Sequence, residues 1–197
     1  MRVRGTEFGK RRHQAGVGMI ELVIAMLITL IVAAIAIPSF MQGYQNYKLN
    51  QGASQVQGIL KSARFQAIRQ NNQTTLRTAA SAAGTTVWCD SDNNGAVGAG
   101  ETQFTLGGSV VLVAAGSVPN TAGLATAVNT GVLTAFPIAG GALTFDVRGA
   151  TVPAAVSALY LDNTAAPLAG YRALVVMPSG AMQEWTADTA GNWSQVN

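Results

Sequence analysis

The longest apolar run in the chain lies near its beginning, between Gly16 and Pro38. The 21 residues between them are apolar or glycine except for Glu21 and Thr29. At about 1.5 Å of rise per residue, a helix of this length matches the roughly 30 Å hydrocarbon core of a bilayer. The pattern therefore predicts a membrane-spanning helix over residues 17–38.

A second pattern follows Pro38, in which apolar positions recur in alternating steps of four and three residues. The positions are Leu49, Ala53, Val56, Leu60, Ala63 and Ala67. This spacing places them in one stripe and predicts an amphipathic helix half over residues 39–72, ending near Gln70. Because proline lacks an N–H and crowds the preceding turn, Pro38 should loosen or kink the helix between the two halves. A plain helix end at Pro38 is the alternative.

From Gln73 onward, short runs of β-forming residues are separated by turn residues. The predicted strands are 74–79, 85–89, 103–106, 109–114, 143–147, 158–161, 172–177 and 182–187. Pro178-Ser179-Gly180 predicts a hairpin turn between the last two strands. The uncharged, low-complexity residues 115–142 predict an extended loop with one short strand at 131–136. The fold class is thus α+β, with a long N-terminal helix packed on an antiparallel β-sheet in a globular domain over residues 73–197.

The formal net charge of +3 is distributed unevenly along the chain. Residues 1–16 contain five basic residues and one acid, so the rest of the chain has a net charge of −1. The positive-inside rule places residues 1–16 in the cytoplasm and residues 39–197 across the membrane. A basic protein points to nucleic acid, but here the charge belongs to the leader.

Two scarce residue types limit the chemistry that the chain can perform. Cys89 is the only cysteine and His13, in the leader, the only histidine. Without residues 1–16, the chain has no Ser-His or Cys-His nucleophile pair and no histidine-ligated zinc site. The prediction is that the protein is not an enzyme. Cys89 and Trp185 are expected in the core.

The beginning of the chain resembles the type IV prepilin signal. Gly16 follows a basic leader, Glu21 is the fifth residue after it, and Pro38 is the 22nd. The resemblance implies cleavage after Gly16 by a prepilin peptidase and N-methylation of Val17, although Val17 and Gly18 stand where Phe and Thr are more usual. It also implies that Glu21 neutralises the new N-terminal amine of a neighbouring subunit, while Pro38 loosens the helix for assembly. The alternative is that Glu21 reaches the cytoplasmic interface.

Three later segments resemble the GspH/FimT family of minor pilins and pseudopilins. They are QVQGILKSARFQAIRQNNQTTLR at 55–77, FDVRGA at 145–150 and VVMPSGAMQEW at 175–185. The resemblance implies a type IV pilin-like fold and a structural subunit of a type IV pilus or a type II secretion pseudopilus. Its partners would be other pilin or pseudopilin subunits and an inner-membrane assembly platform. The protein would be a single-pass inner-membrane protein with a periplasmic C-terminal domain.

A FimT-like DNA-binding minor pilin for natural transformation is the alternative function. DNA binding depends on lysine and arginine residues that neutralise phosphates. Residues 71–197 contain only Arg77, Arg148 and Arg172 as basic residues, against seven acids. This balance argues against a nucleic-acid partner.

Residues 90–101 fit the calcium-loop pattern D-x-[DN]-x-[DN]-G-x5-E. Asp90, Asp92, Asn94 and Glu101 would supply oxygen ligands, and Gly95 would permit the sharp turn. However, predicted strands flank the loop, whereas an EF-hand has flanking helices. The alternative is a plain hairpin loop, because Asp and Asn bond their own backbone and Asn94-Gly95 is a strong turn pair.

Overall fold

The computed structural model describes residues 18–81, 84–136 and 140–196. The chain separates into two compact units, Met1–Phe40 and Met41–Asn197. Both predicted processing residues, Gly16 and Val17, lie outside the described residues.

Helix α1 spans Met19–Gln70 and contains Pro38 in its interior. The helix therefore does not end at this proline. In the first unit, α1 is long and apolar enough to cross a membrane, and its most apolar stretch is 0% buried. A helix that is apolar on all sides is stable where lipid or other apolar helices surround it. This arrangement agrees with the predicted span.

In the second unit, one stripe of α1 packs into the core. All six predicted stripe residues are buried, together with Gly52 and Ile59. The helix ends where Asn71 adopts a left-handed conformation with φ 50°, and the Asn72 N–H donates to the Ala67 carbonyl at 3.2 Å. Asparagine tolerates this conformation, which commonly ends helices. The predicted end near Gln70 follows from this pair of asparagines.

Eleven strands are described in the second unit, and they form two sheets rather than the single sheet expected. The strands are β1 Thr74–Ser81, β2 Gly84–Asp90, β3 Gln103–Leu106, β4 Val110–Val113, β5 Thr134–Ala135, β6 Ala142–Phe145, β7 Thr151–Val152, β8 Ser157–Asn163, β9 Tyr171–Val176, β10 Met182–Ala187 and β11 Trp193–Gln195. The first sheet has the order β3-β2-β1-β6-β7, and the second has β11-β10-β9-β8-β4 with β5 beside β8. All pairs are antiparallel except β5 with β8.

The main core lies between α1 and the inner faces of both sheets. Leu60 and Ala63 of α1 belong to the same buried cluster as Phe145 of the first sheet and Leu159 of the second. Because strand side chains alternate in direction, Leu159 and Leu161 face this cluster while Ala158 and Tyr160 face away from it. The second sheet is therefore apolar on both faces.

A second buried cluster covers the outer face of the second sheet. Leu124 and Val128 pack there with Tyr160, Val175 and Trp185. Leu124 and Val128 come from residues 115–133, where the prediction of an extended loop is wrong. A 3₁₀ turn forms at Ala115–Ser117 and helix α2 spans Thr121–Ala127. Burial of Leu124 and an Asn120 cap, whose side chain accepts the Gly123 N–H at 3.0 Å, stabilise this helix.

Several strand limits also differ from the prediction. The predicted strand at 109–114 is shorter at both ends, and the one at 143–147 stops at Phe145. Asp146 begins a turn, and its Oδ1 accepts the N–H groups of Arg148 and Ala150 at 2.9 and 2.8 Å. The predicted strand at 131–136 is reduced to Thr134–Ala135, while β7 and β11 are short strands that the pattern did not indicate.

Candidate functional site

Glu21 lies in the first turn of α1 and its side chain is exposed. Its N–H donates to the Gly18 carbonyl at 3.0 Å, as does the N–H of Leu22 at 3.2 Å. Among the residues that the structure describes, no hydrogen bond or ion pair reaches the Glu21 carboxylate. A carboxylate in lipid without a partner is costly, and such residues in spans are usually functional.

Thr29, the other polar residue of the span, has a different environment. Its hydroxyl donates to the Ala25 carbonyl at 2.7 Å, within the same helix. The helix can therefore satisfy a threonine in an apolar setting, but a carboxylate needs a donor or a cation. For Glu21, that group has to come from outside the described part of the chain.

The predicted calcium ligands come together at the end of β2. Carboxylate oxygens of Asp90, Asp92 and Glu101 lie within 4.8 Å of one another. Asp90 ends β2 and is fully buried, whereas Asp92 and Asn94 are exposed on the loop. Because β2 and β3 are paired, Glu101 returns to the same place just before β3 begins. Hairpin pairing thus places the two ends of the loop together.

The carboxylate oxygens of this cluster already accept hydrogen bonds from the loop. Oδ1 of Asp90 accepts the Asn94 N–H at 3.1 Å, and Oδ2 accepts the Gly95 N–H at 3.0 Å. Glu101 accepts the N–H groups of Ser91 and Gly98 at 2.9 and 2.7 Å. These contacts are those of a hairpin loop closed by its own side chains.

Asn94 completes this internal network. The Asn94 N–H also donates to Oδ1 of Asp92 at 3.1 Å, and its amide nitrogen donates to Oδ2 of Asp92 at 2.7 Å. The amide oxygen of Asn94 accepts the Ala96 N–H at 2.7 Å. The predicted ligand oxygens of Asp92 and Asn94 are therefore occupied as well.

Arg77 forms an ion pair with Asp90 that the sequence did not indicate. The guanidinium Nε donates to Oδ2 of Asp90 across β1 and β2. Burial raises the pKa of Asp90, but the hydrogen bonds from Arg77 and Gly95 and the charge of Arg77 outweigh it, so the pKa lies below its usual value. Asp90 is therefore held ionised, with a cation already beside it.

The hydrogen bonds and the ion pair at these carboxylates affect whether calcium can bind between them. Calcium takes six to eight oxygen ligands, so it would have to replace the bonds from Arg77 and from several loop N–H groups. The contacts favour the plain hairpin loop, while the grouping of three carboxylates is what a cation site requires. Calcium binding by Asp90, Asp92, Asn94 and Glu101 stays a prediction.

Cys89 neighbours this loop but belongs to the core. It is fully buried, and its thiol donates to Oε1 of Gln66 at 3.3 Å. Burial, together with the charges of Glu101 and Asp90, raises the pKa of Cys89 to about 11. A thiol with this pKa stays protonated near neutral pH and is a poor nucleophile. The core assignments of Cys89 and Trp185 are both confirmed.

Two of the three arginines counted against DNA binding are internal to the fold. Arg77 is paired with Asp90, and Arg172 is buried, donating from Nε to Oδ1 of Asn50 at 2.7 Å. Burial lowers the pKa of Arg172, although Glu184 opposes this effect. Only Arg148 is exposed. The sheets therefore present less positive charge than the sequence count indicated.

Comparisons with known proteins agree with the beginning of the chain and with its fold. Residues 11–37 match the prokaryotic N-terminal methylation motif. Two crystal forms of the type IV minor pilin FimU from Pseudomonas aeruginosa are structurally similar. One is 17% identical, with a TM-score of 0.48, over 69% of this chain and 91% of that chain. The other is 15% identical, with a TM-score of 0.50, over 77% of this chain and 94% of that chain. Comparison with curated protein sequences found no match.

The similarity to the form with a TM-score of 0.50 shows a pilin fold: a long N-terminal apolar helix packed on antiparallel sheets. The chain thus combines an N-terminal methylation motif with a fold similar to that of a type IV minor pilin. The motif implies processing by a prepilin peptidase and assembly with other pilins. The apolar helix and the fold fit a protein anchored in the inner membrane with a globular domain outside the bilayer.

Proposed function

We propose that this protein is a minor pilin that is cut between Gly16 and Val17, methylated at Val17 and assembled into a type IV pilus. The observation that carries the proposal is the register of Glu21 with Gly16 inside a matched methylation motif. The exposed apolar surface of α1 around Glu21 supports it, because such a surface requires lipid or other apolar helices.

Glu21 gives the proposed assembly step its chemistry. Cleavage after Gly16 creates an amine at Val17, and in the filament the Glu21 carboxylate pairs with the amine of a neighbouring subunit. Two opposite charges that meet in apolar surroundings offset the desolvation that each suffers alone. The proposal accounts for a carboxylate that the described part of its own chain leaves without a partner.

The work of the subunit is structural in this proposal, and no reaction is catalysed. The globular domain lies in the periplasm before assembly and on the filament afterwards, and an inner-membrane platform carries out the transfer. A type II secretion pseudopilus would use the same devices and is the alternative assembly. DNA capture is not favoured, because Arg77 and Arg172 are engaged inside the fold.

Two substitutions test processing and assembly separately in the native cell. Gly16→Leu should abolish cleavage, because the peptidase requires a small residue at this position. Mass spectrometry of the membrane-bound protein would then find residues 1–16 still attached. Glu21→Ala should be cut and methylated normally but should be lost from sheared filaments, as measured by immunoblot.

Thr29→Ala is the matched control, since Thr29 is the other polar residue of the span and is satisfied within the helix. This variant should be processed and assembled like the wild type. Assembly of Glu21→Ala at the wild-type level would refute the proposed role of the carboxylate. Recovery of the protein only with a secretion complex, and never in sheared pili, would favour the pseudopilus.

A further inference from the structure

The segment between β2 and β3 contains the one asparagine of this chain that is followed directly by glycine, Asn94 before Gly95. In such a pair the glycine nitrogen can attack the side-chain carbon Cγ of the asparagine, because glycine has no Cβ to obstruct the approach. Asn94 is exposed, and residues 91–102, all of which the structure describes, belong to no helix or strand. This segment, residues 91–102, is called the β2–β3 loop below.

The contacts of the closed β2–β3 loop oppose this attack. The Gly95 N–H donates to Oδ2 of Asp90 at 3.0 Å. The amide nitrogen of Asn94 donates to Oδ2 of Asp92 at 2.7 Å, and its amide oxygen accepts the Ala96 N–H at 2.7 Å. Both polar atoms of the asparagine side chain are therefore held in place. The attack also needs a deprotonated glycine nitrogen, and the two adjacent carboxylates disfavour such a negative charge.

Polar contacts alone keep the β2–β3 loop closed. The side chains of residues 92–97 are all exposed, so none of them packs into the core. The loop is held by hydrogen bonds to Asp90 and Glu101, and Asp90 in turn is paired with Arg77. A segment with few buried apolar contacts opens locally at a lower free energy than the core. Opening of this loop therefore frees Asn94 while the rest of the domain stays folded.

The reaction in the open loop is a deamidation that consumes only water. The Gly95 nitrogen gives its proton to water and bonds to Cγ of Asn94, and the Cγ–Nδ2 bond breaks with release of ammonia. Water then opens the resulting five-membered imide ring at one of its two carbonyl carbons, and the glycine nitrogen regains a proton. The product has a carboxylate at position 94, on a normal or a β-linked backbone. No oxidant or reductant is needed.

A carboxylate at position 94 is incompatible with the closed loop. The amide nitrogen that donates to Asp92 is lost, and a negatively charged oxygen takes its place. The loop already brings carboxylate oxygens of Asp90, Asp92 and Glu101 within 4.8 Å of one another. A further like charge at this short range is repelled, so the loop cannot return to its closed form.

We propose that Asn94 is a modification site that the closed β2–β3 loop protects, and that it converts to aspartate or isoaspartate when the loop opens, which then prevents closure. The inference goes beyond the proposed function, since it concerns the second unit alone and does not depend on processing, anchorage or filament assembly. A subunit whose loop has opened would carry a permanent additional negative charge.

The test follows the loss of side-chain amide groups in the full chain in mild detergent, kept in neutral buffer with and without urea. Peptide mapping by mass spectrometry in ¹⁸O-labelled water measures the newly formed carboxylate at each asparagine. Asn93 is the internal control, because it is adjacent and exposed but is followed by a residue with a Cβ. Its Oδ1 accepts the Thr75 hydroxyl at 2.8 Å, and its Nδ2 donates to the Gln73 carbonyl at 2.9 Å.

Conversion of Asn94 should be at least about tenfold faster in urea than in the folded chain, and Asn93 should react slowly in both. Arg77→Ala removes the cation beside Asp90 and should raise the rate in the folded chain by about threefold or more, whereas Arg148→Ala should leave it unchanged. Tryptophan fluorescence checks that both variants stay folded. Equal rates at Asn94 in the folded and unfolded chains would overturn the protection, and conversion of Asn93 at the same rate would overturn the site.

The loss of closure is tested by Asn94→Asp. Elastase should cleave this variant after Val97 about tenfold faster than the wild type, because the β2–β3 loop is open. Asn192→Asp is the matched control, since the Asn192 amide nitrogen also donates to a carboxylate, Oδ2 of Asp188 at 2.6 Å, in a different loop. This control should leave cleavage after Val97 at the wild-type rate. Wild-type resistance of Asn94→Asp would overturn the claim that conversion prevents closure.

Discussion

The two units of this protein differ in whether their apolar side chains are buried and whether their carboxylates are paired. In Met19–Phe40, nearly every large apolar side chain is exposed, and the single carboxylate, Glu21, has no partner among the described residues. In Met41–Asn197, the apolar stripe of α1 is buried, and the buried acid Asp90 is paired with Arg77. One helix, α1, supplies residues to both environments.

The contrast indicates which part of the protein is complete by itself. The second unit buries the apolar stripe of α1 and pairs its buried acid Asp90, as a globular domain must to be stable in water. The first unit leaves the same kinds of group for lipid or for other subunits to satisfy. Substitutions in the two units should therefore be detected by different measurements.

Truncation of a core leucine should give the largest effect. Leu60 is 0% exposed in the main core, so Leu60→Ala should lower the free energy of unfolding by about 2–5 kcal/mol. Urea unfolding of the full chain in mild detergent, followed by tryptophan fluorescence, measures this change because all three tryptophans lie beyond Met41.

The matched variant is Leu27→Ala in the apolar span, where Leu27 is 57% exposed. It should leave the urea midpoint of the domain unchanged. If the two variants shifted the midpoint equally, the contrast between the units would be wrong.

Removal of the charge partner of Asp90 should give an intermediate effect. Arg77→Ala leaves a fully buried carboxylate with only its loop donors, and we expect a loss of about 1–3 kcal/mol in the free energy of unfolding. Arg148→Ala, at an exposed arginine, is the control and should change stability by less than about 0.5 kcal/mol. If Arg77→Ala left the free energy of unfolding unchanged, the loop N–H groups alone would be sufficient to satisfy Asp90.

Addition of calcium should give the smallest effect. Because Arg77 and loop N–H groups occupy the carboxylate oxygens, 1 mM calcium should stabilise the protein by less than about 1 kcal/mol, which corresponds to a dissociation constant above about 0.2 mM. Isothermal calorimetry of the full chain, with magnesium and Asp92→Ala as controls, measures it. Micromolar binding that Asp92→Ala abolishes would establish the calcium site that the spacing predicts.

The sequence predicted secondary structure best where apolar residues repeat at a regular spacing and share one environment. The stripe from Leu49 to Ala67 predicted the buried face of α1, and β3 and β10 have the predicted limits. Helix α2 could not be predicted, because its sequence TAGLATA has no apolar stripe and contains glycine. Leu124 is buried only because the second sheet offers an apolar outer face, and Trp193 donates to the Asn120 carbonyl at 3.0 Å from 73 residues away.

In the candidate site, too, a local pattern predicted some features, while others depend on residues distant in sequence. The spacing of residues 90–101 predicted that Asp90, Asp92 and Glu101 come together, since one hairpin brings its ends into contact. The pairing of Asp90 with Arg77 depends on the register of β1 against β2, which places Arg77 opposite Trp88. No local pattern contains that register, so the cation beside Asp90 could not be inferred from the sequence.

The polar contacts between α1 and the sheets also determine how the domain would respond to force. Three of them lie along the helix, from Gln45 with Asn163, through Asn50 with Arg172, to Arg64 with Gly149 and Ser179. The 19 residues from Gln45 to Arg64 span about 28 Å of helix. An axial pull on α1 would load these contacts in parallel, as shear, so that the helix cannot slide by one turn until all three have failed together.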